Sequence, residues 1–153
     1  MISIVAAMDL NGVIGYHHTM PWHCSEDLIH FRNLTLHQHI LMGRITYEHL
    51  PKQLDHRILH IASRKQIADE NIMLCNDVEK EIKKWKDSKE ALYVCGGAQI
   101  YEMALPYADE LWLTTILNHY QGDTWFPNID LKEFVLVSED IKKECVIRHY
   151  IKR

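Results

Sequence analysis

The chain has 153 residues, enough for one domain with a sizeable core. Its 47% hydrophobic and 25% charged residues fit an ordinary globular domain, and no low-complexity segment or Pro/Gly/Ser linker interrupts it. The formal net charge of −4 argues against a protein that grips a nucleic-acid backbone, which requires a basic surplus.

The run "ISIVAAM" (2–8) is apolar throughout and predicts a strand buried on both faces. It has no basic flank and meets Asp9 at once, so it does not read as a signal peptide. Residues 9–22 carry two glycines, an Asn-Gly pair and a proline, which predict a long loop. A helix is expected from Ser25 to Leu36, with Ser25 as its N-cap. "HILM" (39–42) predicts a short strand and "RITYEHL" (44–50) a short helix ended by Pro51. "RILHIA" (57–62) and "IMLC" (72–75) read as strands. "DVEKEIKKWK" (77–86) reads as an amphipathic helix capped by Asp77, with Val78, Ile82 and Trp85 on one stripe. "ALYVC" (91–95) is a further buried strand, "AQIYEMAL" (98–105) a helix stopped by Pro106, and "ELWLTTI" (110–116) a strand. "YQGDTWFP" (120–127) reads as a loop, and two strands close the chain near 133–139 and 144–151.

This alternation predicts a single α/β domain over residues 1–153. Its central sheet is mainly parallel, of about eight strands with an antiparallel C-terminal edge, flanked by about four helices. No apolar run approaches the length of a membrane span. The four cysteines (Cys24, Cys75, Cys95, Cys145) lie far apart with no CxxC, which points to a reducing compartment and hence the cytoplasm. The eleven histidines are scattered, with no HExxH and no HxH pair backed by carboxylates. They read as surface and loop residues, and no metal site is expected.

In such sheets ligands bind at the carboxyl ends of the strands. The 9–22 loop, the acids Glu26 and Asp27, and Gly43, Gly96 and Gly97 all fall there. Asp27 shares its helical stripe with Phe31 and Leu34, with Leu28 alongside, whereas Glu26 shares its stripe with His30 and Asn33. Asp27 therefore points towards the apolar side and Glu26 towards solvent. An acid in a first turn also simply complements the helix dipole. The sharper reading is a half-buried carboxylate for a cationic or amidine-like ligand group. "VCGGAQIY" (94–101) is a strand, two glycines and a helix, a junction that offers backbone amides to an anion, although paired glycines also mark plain tight turns. "LMGRITYEHL" (41–50) repeats the device with Gly43, Arg44 and Thr46. Ser63, Arg64 and Lys65 follow the next strand, and two basic seats after two strands suit a dinucleotide.

Taken together, "SIVAAMDLNGVIG", "MPWH", "DLIHF", "MGRITYE", "VCGGAQIYE" and "GDTWFP" resemble the bacterial chromosomal type of dihydrofolate reductase, in order and over almost the whole chain. The resemblance implies NADPH-dependent reduction of 7,8-dihydrofolate to tetrahydrofolate. Hydride would pass from nicotinamide C4 to pterin C6 with protonation at N5, in support of one-carbon and thymidylate metabolism. It implies that Asp27 binds the amino-pyrimidine edge of the pterin, that Trp22 holds a nearby water, and that Thr114 hydrogen-bonds Asp27. Val5, Ala6, Ala7, Leu28, Phe31, Leu50 and Leu54 would wall the folate pocket, and Arg57 would pair with the glutamate tail. Ala7, Ile14, Gly15, Met20, Thr46, Cys95 and Tyr101 would surround the nicotinamide and its ribose. Gly43, Arg44, Ile45, Thr46, Ser63, Arg64 and the turn Gly97, Ala98, Gln99 and Ile100 would line the rest of the dinucleotide. Gly96–Gly97 matches the family's cis peptide, and residues 9–24 would form a mobile lid. Antifolate inhibitors would share the folate pocket, and the family is usually monomeric.

The chain departs from the family pattern in places. Ser25 replaces the usual proline. "HLPKQLDHR" (49–57) keeps Leu54 and Arg57 but loses the family's glycine and both prolines, and gains Pro51. Ile45 and Gln99 stand where basic residues are common, and Arg64 where serine or threonine is usual, so Arg44 and Arg64 are expected to share the 2′-phosphate. Two other readings remain: a reductase of the same fold acting on a riboflavin-pathway pyrimidine, which lacks the Pro-Trp…Asp pairing, and a non-catalytic binding module.

Overall fold

A computed structural model describes residues 1–153. Its elements in order are β1 (Ile2–Met8), β2 (Val13–Gly15), α1 (Ser25–Thr35), β3 (His39–Gly43), α2 (Arg44–Glu48), β4 (Ile58–Ala62), β5 (Ile72–Cys75), α3 (Val78–Lys86), β6 (Leu92–Val94), α4 (Ala98–Ala104), β7 (Glu110–Ile116), β8 (Thr124–Trp125), β9 (Phe134–Ile141) and β10 (Cys145–Lys152).

β1 is the axis. It pairs in parallel with β6 on one side and β7 on the other, and its Ile2 and Ile4 are fully buried. The eight-stranded sheet runs β5-β4-β3-β6-β1-β7-β10-β9. Strands β5 to β7 in that order are parallel, and β10 is antiparallel to both β7 and β9. A strand covered on both faces needs apolar residues at every position, which is why "ISIVAAM" lacks alternation. α3 covers one face as its stripe predicts: Ile82 and Trp85 are buried, and the Asp77 side chain accepts a bond from the Lys80 amide at 3.1 Å. The chain leaves β1, fills β3, β4 and β5 on one side, returns through β6, and then crosses to β7. The reversal opens a crevice at the carboxyl ends of β1, β3 and β6. No helix is long and apolar enough to cross a membrane.

Three sequence expectations are corrected. Residues 9–22 and 120–127 are not all loop: β2 and β8 pair as a two-stranded ribbon. Strands of three and two residues are too short to show a period, and they are fixed by distant backbone bonds, Phe126 N to Gly12 O at 2.9 Å and Asp123 N to Gly15 O at 3.0 Å. Ser25 is not the N-cap. Cys24 holds that position with extended backbone and no side-chain cap, so α1 starts one residue earlier than Ser25-capping predicts. Nor are all the histidines superficial. His60 on β4 is buried, exchanges a 2.8 Å bond with His39 on β3, and lies 3.5 Å from Glu81 on α3. His149 stacks flat on Trp112 and bonds Glu110 at 2.7 Å.

Gly122 shows how tightly the ribbon is seated. A Cβ at that position would lie 2.3 Å from Val13 Cγ1, and Val13 is itself buried. Gly122→Ala is expected to lower stability by about 1–3 kcal/mol, the usual cost of overpacking, as read from urea unfolding midpoints.

Candidate active site

Asp27 lies in the first turn of α1 and is 9% exposed. Burial pushes its carboxyl above the ordinary value, and a hydrogen bond with Thr114 on β7 pulls part of the way back. The two acids divide as the helix stripe predicts, with one refinement. Glu26 is not free in solvent: its two carboxylate oxygens accept the backbone amides of Lys143 (3.3 Å) and Glu144 (2.9 Å) in the turn before β10. His30, placed on the polar stripe, is also drawn in. Its Nε2 is buried without a partner and its ring lies 5.4 Å from that of Trp112. The β7–β10 pair extends beneath this face of α1, which helix periodicity alone does not reveal.

Asp27 borders a cleft of about 1780 Å³. One half is apolar, with Val5, Ala6 and Ala7 from β1, Leu28 and Phe31 from α1, and Leu50 and Leu54 from the segment after α2. Leu50, Leu54 and Phe31 pack against the buried cluster of Ile40, Met42, Leu59 and Ile61, so the wall persists without the family's prolines. Arg57 closes this half. Its side chain is only 4% exposed, its Nε donates to the Asp55 carbonyl at 2.8 Å, and its guanidinium lies 6.0 Å from the Phe31 ring centre. Asp55 also pairs with Arg32 at 3.0 Å, so one carboxylate links both cations of the cleft rim.

The other half is built from glycine junctions. The Gly43 amide donates to the Gly96 carbonyl at 2.9 Å, which brings the ends of β3 and β6 together. The Gly96–Gly97 peptide is cis. Gly96 has φ of 116°, a region that favours glycine, and an added Cβ would meet the Tyr101 ring at about 3.5 Å. Tyr101 is locked in place, its hydroxyl donating to the Val5 carbonyl at 2.7 Å. Burial pushes its phenol well above the ordinary value. Arg44, Ser63, Arg64 and Lys65 line the far end. Arg44 is engaged by Glu48 at 2.9 Å, whereas Arg64 has no acidic partner.

Residues 9–24 cover the middle. Met20 is exposed at 45%, Trp22 is buried, and Ile14 and Gly15 face the cleft. The base of this segment is fixed by Asp9, which sequence reading passed over. Its carboxylate accepts amides of Asn11 (2.8 Å), Val13 (2.9 Å) and Tyr120 (2.9 Å). Burial pushes Asp9 up, but those amides outweigh burial and hold it below the ordinary carboxylate range. An acid closing an Asp-Leu-Asn-Gly turn was the available signal.

The sequence model of the family described as dihydrofolate reductase matches residues 1–150. The chain belongs to the dihydrofolate reductase family. It is 35% identical to the dihydrofolate reductase of Mycoplasma genitalium, covering 100% of this chain and 99% of the relative. It is also 35% identical to that of Bacillus subtilis, covering 92% and 83%. Among solved structures, the dihydrofolate reductase of Enterococcus faecalis complexed with NADP(H) and RAB-propyl superposes with a TM-score of 0.89 at 25% identity, over 100% of this chain and 96% of that one. The protein is thus an oxidoreductase of the dihydrofolate reductase type.

The residues that the dihydrofolate reductase resemblance assigns to a ligand all line this one cleft, with a single exception. Thr114 does not: it is 1% exposed and is not part of the cleft wall. Its hydroxyl acts on the Asp27 carboxyl, lowering its pKa against the effect of burial. His18, His49, Lys52 and Asp77 border the cleft as well, and no spacing signals them because a cleft rim has no period.

Because burial raises the pKa of Asp27 above its unfolded value, its ionised form costs the fold stability at neutral pH, and the cost vanishes below the ordinary carboxyl range. Asp27→Asn is expected to unfold at equal or higher urea than the wild type at neutral pH. The difference should narrow as pH falls towards about 4.

Proposed function

We propose that the cleft binds dihydrofolate against Asp27 and NADPH along the two glycine junctions, and that the chain reduces the former with the latter. The observation that carries this reading is the position of Asp27: a buried carboxylate set in an apolar wall, beside the meeting point of β1 and the Gly96–Gly97 turn. A flat heterocycle with a polar edge fits such a wall. Its ring buries apolar area while its amino-pyrimidine edge donates to the carboxylate.

The fit of a dinucleotide rests on the junctions themselves. An added Cβ on Gly97 would lie 3.4 Å from Thr46 Oγ1, so the backbone there is bare and close to a hydroxyl, and Arg44, Arg64 and Lys65 line the cleft with it. NADPH supplies a hydride from nicotinamide C4 to pterin C6. The chain's residues do the rest. Tyr101, Gly96 and Ala7 shape the floor on which the two rings meet, and Asp27 orients the pterin and favours a proton at N5, delivered through water near Trp22. Arg57 takes the glutamate tail, and residues 9–24 close over the centre and exclude water. Arg64, lacking an acidic partner, is the cation available to the 2′-phosphate, with Arg44 sharing it. Antifolates would occupy the same apolar half. We place the protein in the cytoplasm as a monomer, with no nucleic-acid or membrane partner.

Loss of NADPH absorbance with and without dihydrofolate tests the reaction directly. A binding module would show no dependence on dihydrofolate. Asp27→Asn is expected to fold but to lose about 100-fold or more in kcat at neutral pH, recovering partly at acid pH as preprotonated substrate appears. Near wild-type turnover in that variant at neutral pH would remove Asp27 from the mechanism. Arg64→Ala is expected to narrow the ratio of kcat/KM for NADPH over NADH by about tenfold, the loss of one charge-assisted phosphate contact. An unchanged ratio would take Arg64 out of cofactor selection.

A further inference from the structure

At the start of α1, Cys24, Glu26 and Cys145 come together. The two sulfurs and one carboxylate oxygen all lie within 4.8 Å of one another, and both cysteines are buried. None of the three is used by the reaction described above. We infer that they form a binding site for a thiophilic divalent cation, with Zn²⁺ as the ion best suited to two thiolates and one carboxylate.

Several observations support a cation site rather than a chance meeting of small core residues. The donors come from separate elements that are each well fixed: Cys24 is the N-cap residue of α1, Glu26 lies in its first turn, and Cys145 opens β10. Glu26 is already oriented, since its oxygens accept the Lys143 and Glu144 amides. Each oxygen keeps a further lone pair, and outer contacts of this kind aim a ligating carboxylate. With Zn–S bonds of about 2.3 Å and Zn–O bonds of about 2.0–2.2 Å, tetrahedral donors sit roughly 3.3–3.8 Å apart. Donors that lie within 4.8 Å of one another reach that with a contraction of roughly 1.5 Å at most.

A fourth ligand has room to enter. Glu26, alone of the three donors, also borders a cavity of about 370 Å³, open to solvent and shared with His30, Trp112, Asp140 and Lys142, from which a water can approach on the carboxylate side. The charge is manageable as well. Two thiolates and a carboxylate carry three negative charges, the cation supplies two positive ones, and the ammonium of Lys142 lies close enough to Glu26 and Cys145 to act on both. Binding replaces two thiol protons with one divalent ion and releases both protons to solvent, with no change of oxidation state. Oxygen-seeking ions such as Mg²⁺ and Ca²⁺ do not favour sulfur. The bound ion would tie the end of the 9–24 segment and the start of the Asp27 helix to the turn before β10.

Cadmium titration of the reduced full-length chain tests this, because the ultraviolet sulfur-to-cadmium charge-transfer band reports thiolates and ignores the many histidines. The expected result is a band that saturates at one Cd²⁺ per chain, is competed away by Zn²⁺, and accompanies a rise in Tm of about 5 °C at saturating metal. Cys24→Ser and Cys145→Ser should each abolish saturation at that stoichiometry. Glu26→Gln, which keeps one acceptor oxygen for the Glu144 amide, should keep the band and weaken affinity by about tenfold. The inference is overturned if the reduced chain shows no saturable band, whatever disulfide an oxidant forms. It is equally overturned if Glu26→Gln binds Cd²⁺ as tightly as the wild type.

Discussion

One carboxylate in an apolar wall sets the terms for the rest of the site. Charge is costly where water is scarce, and Asp27 is tolerated because Thr114 hydrogen-bonds it and the open cleft admits a ligand edge on its other side. Holding it there requires α1 to start at a defined place. Cys24 gives the helix no side-chain cap, so the start is fixed from outside, by Glu26 fastened to the amides before β10 and by the sheet beneath His30. The neighbour that sequence reading assigned to solvent thus anchors the residue that faces the ligand.

The cleft depends on two kinds of rigidity. Its floor is the parallel pairing of β1 with β6 and β7, which sets Ala7 level with Thr114. Its cover is local. Asp9 gathers three amides from both sides of the β2–β8 ribbon, and Gly122 makes room for Val13, so the base of the 9–24 segment is fixed while its tip at Met20 stays exposed. A fixed base with a free tip is what a closing cover needs. The altered 49–57 segment belongs to the same division. Its backbone has lost two prolines, yet Leu50 and Leu54 still bury their side chains against the β3–β4 cluster, and Asp55 now bridges Arg32 and Arg57. That bridge sets a local acid in competition with any ligand carboxylate for Arg57.

Chain order and hydrophobic period made most of this legible. The buried strands announced themselves as unbroken apolar runs, α3 by its stripe and Asp77, and the ligand end of the sheet by glycines that follow strands. Asp27 was separated from Glu26 by spacing alone. The misses share a cause. The β2–β8 ribbon, the burial of His60 and His30, and the meeting of Cys24 with Cys145 all depend on partners far away in sequence, and no local window contains them.

The amino-acid sequence by itself determined the α/β class, the order of its elements, the family and the acid that faces the apolar side, because each is written in residue spacing or in contiguous motifs. Only the tertiary structure decided what those residues touch. It put the Thr114 hydroxyl on the Asp27 carboxyl, Asp9 under the cover, Arg64 without an acidic partner, and two cysteines more than a hundred positions apart beside one carboxylate. Contacts across a folded sheet are set by strand order and register, and these emerge only when the whole chain buries its core at once.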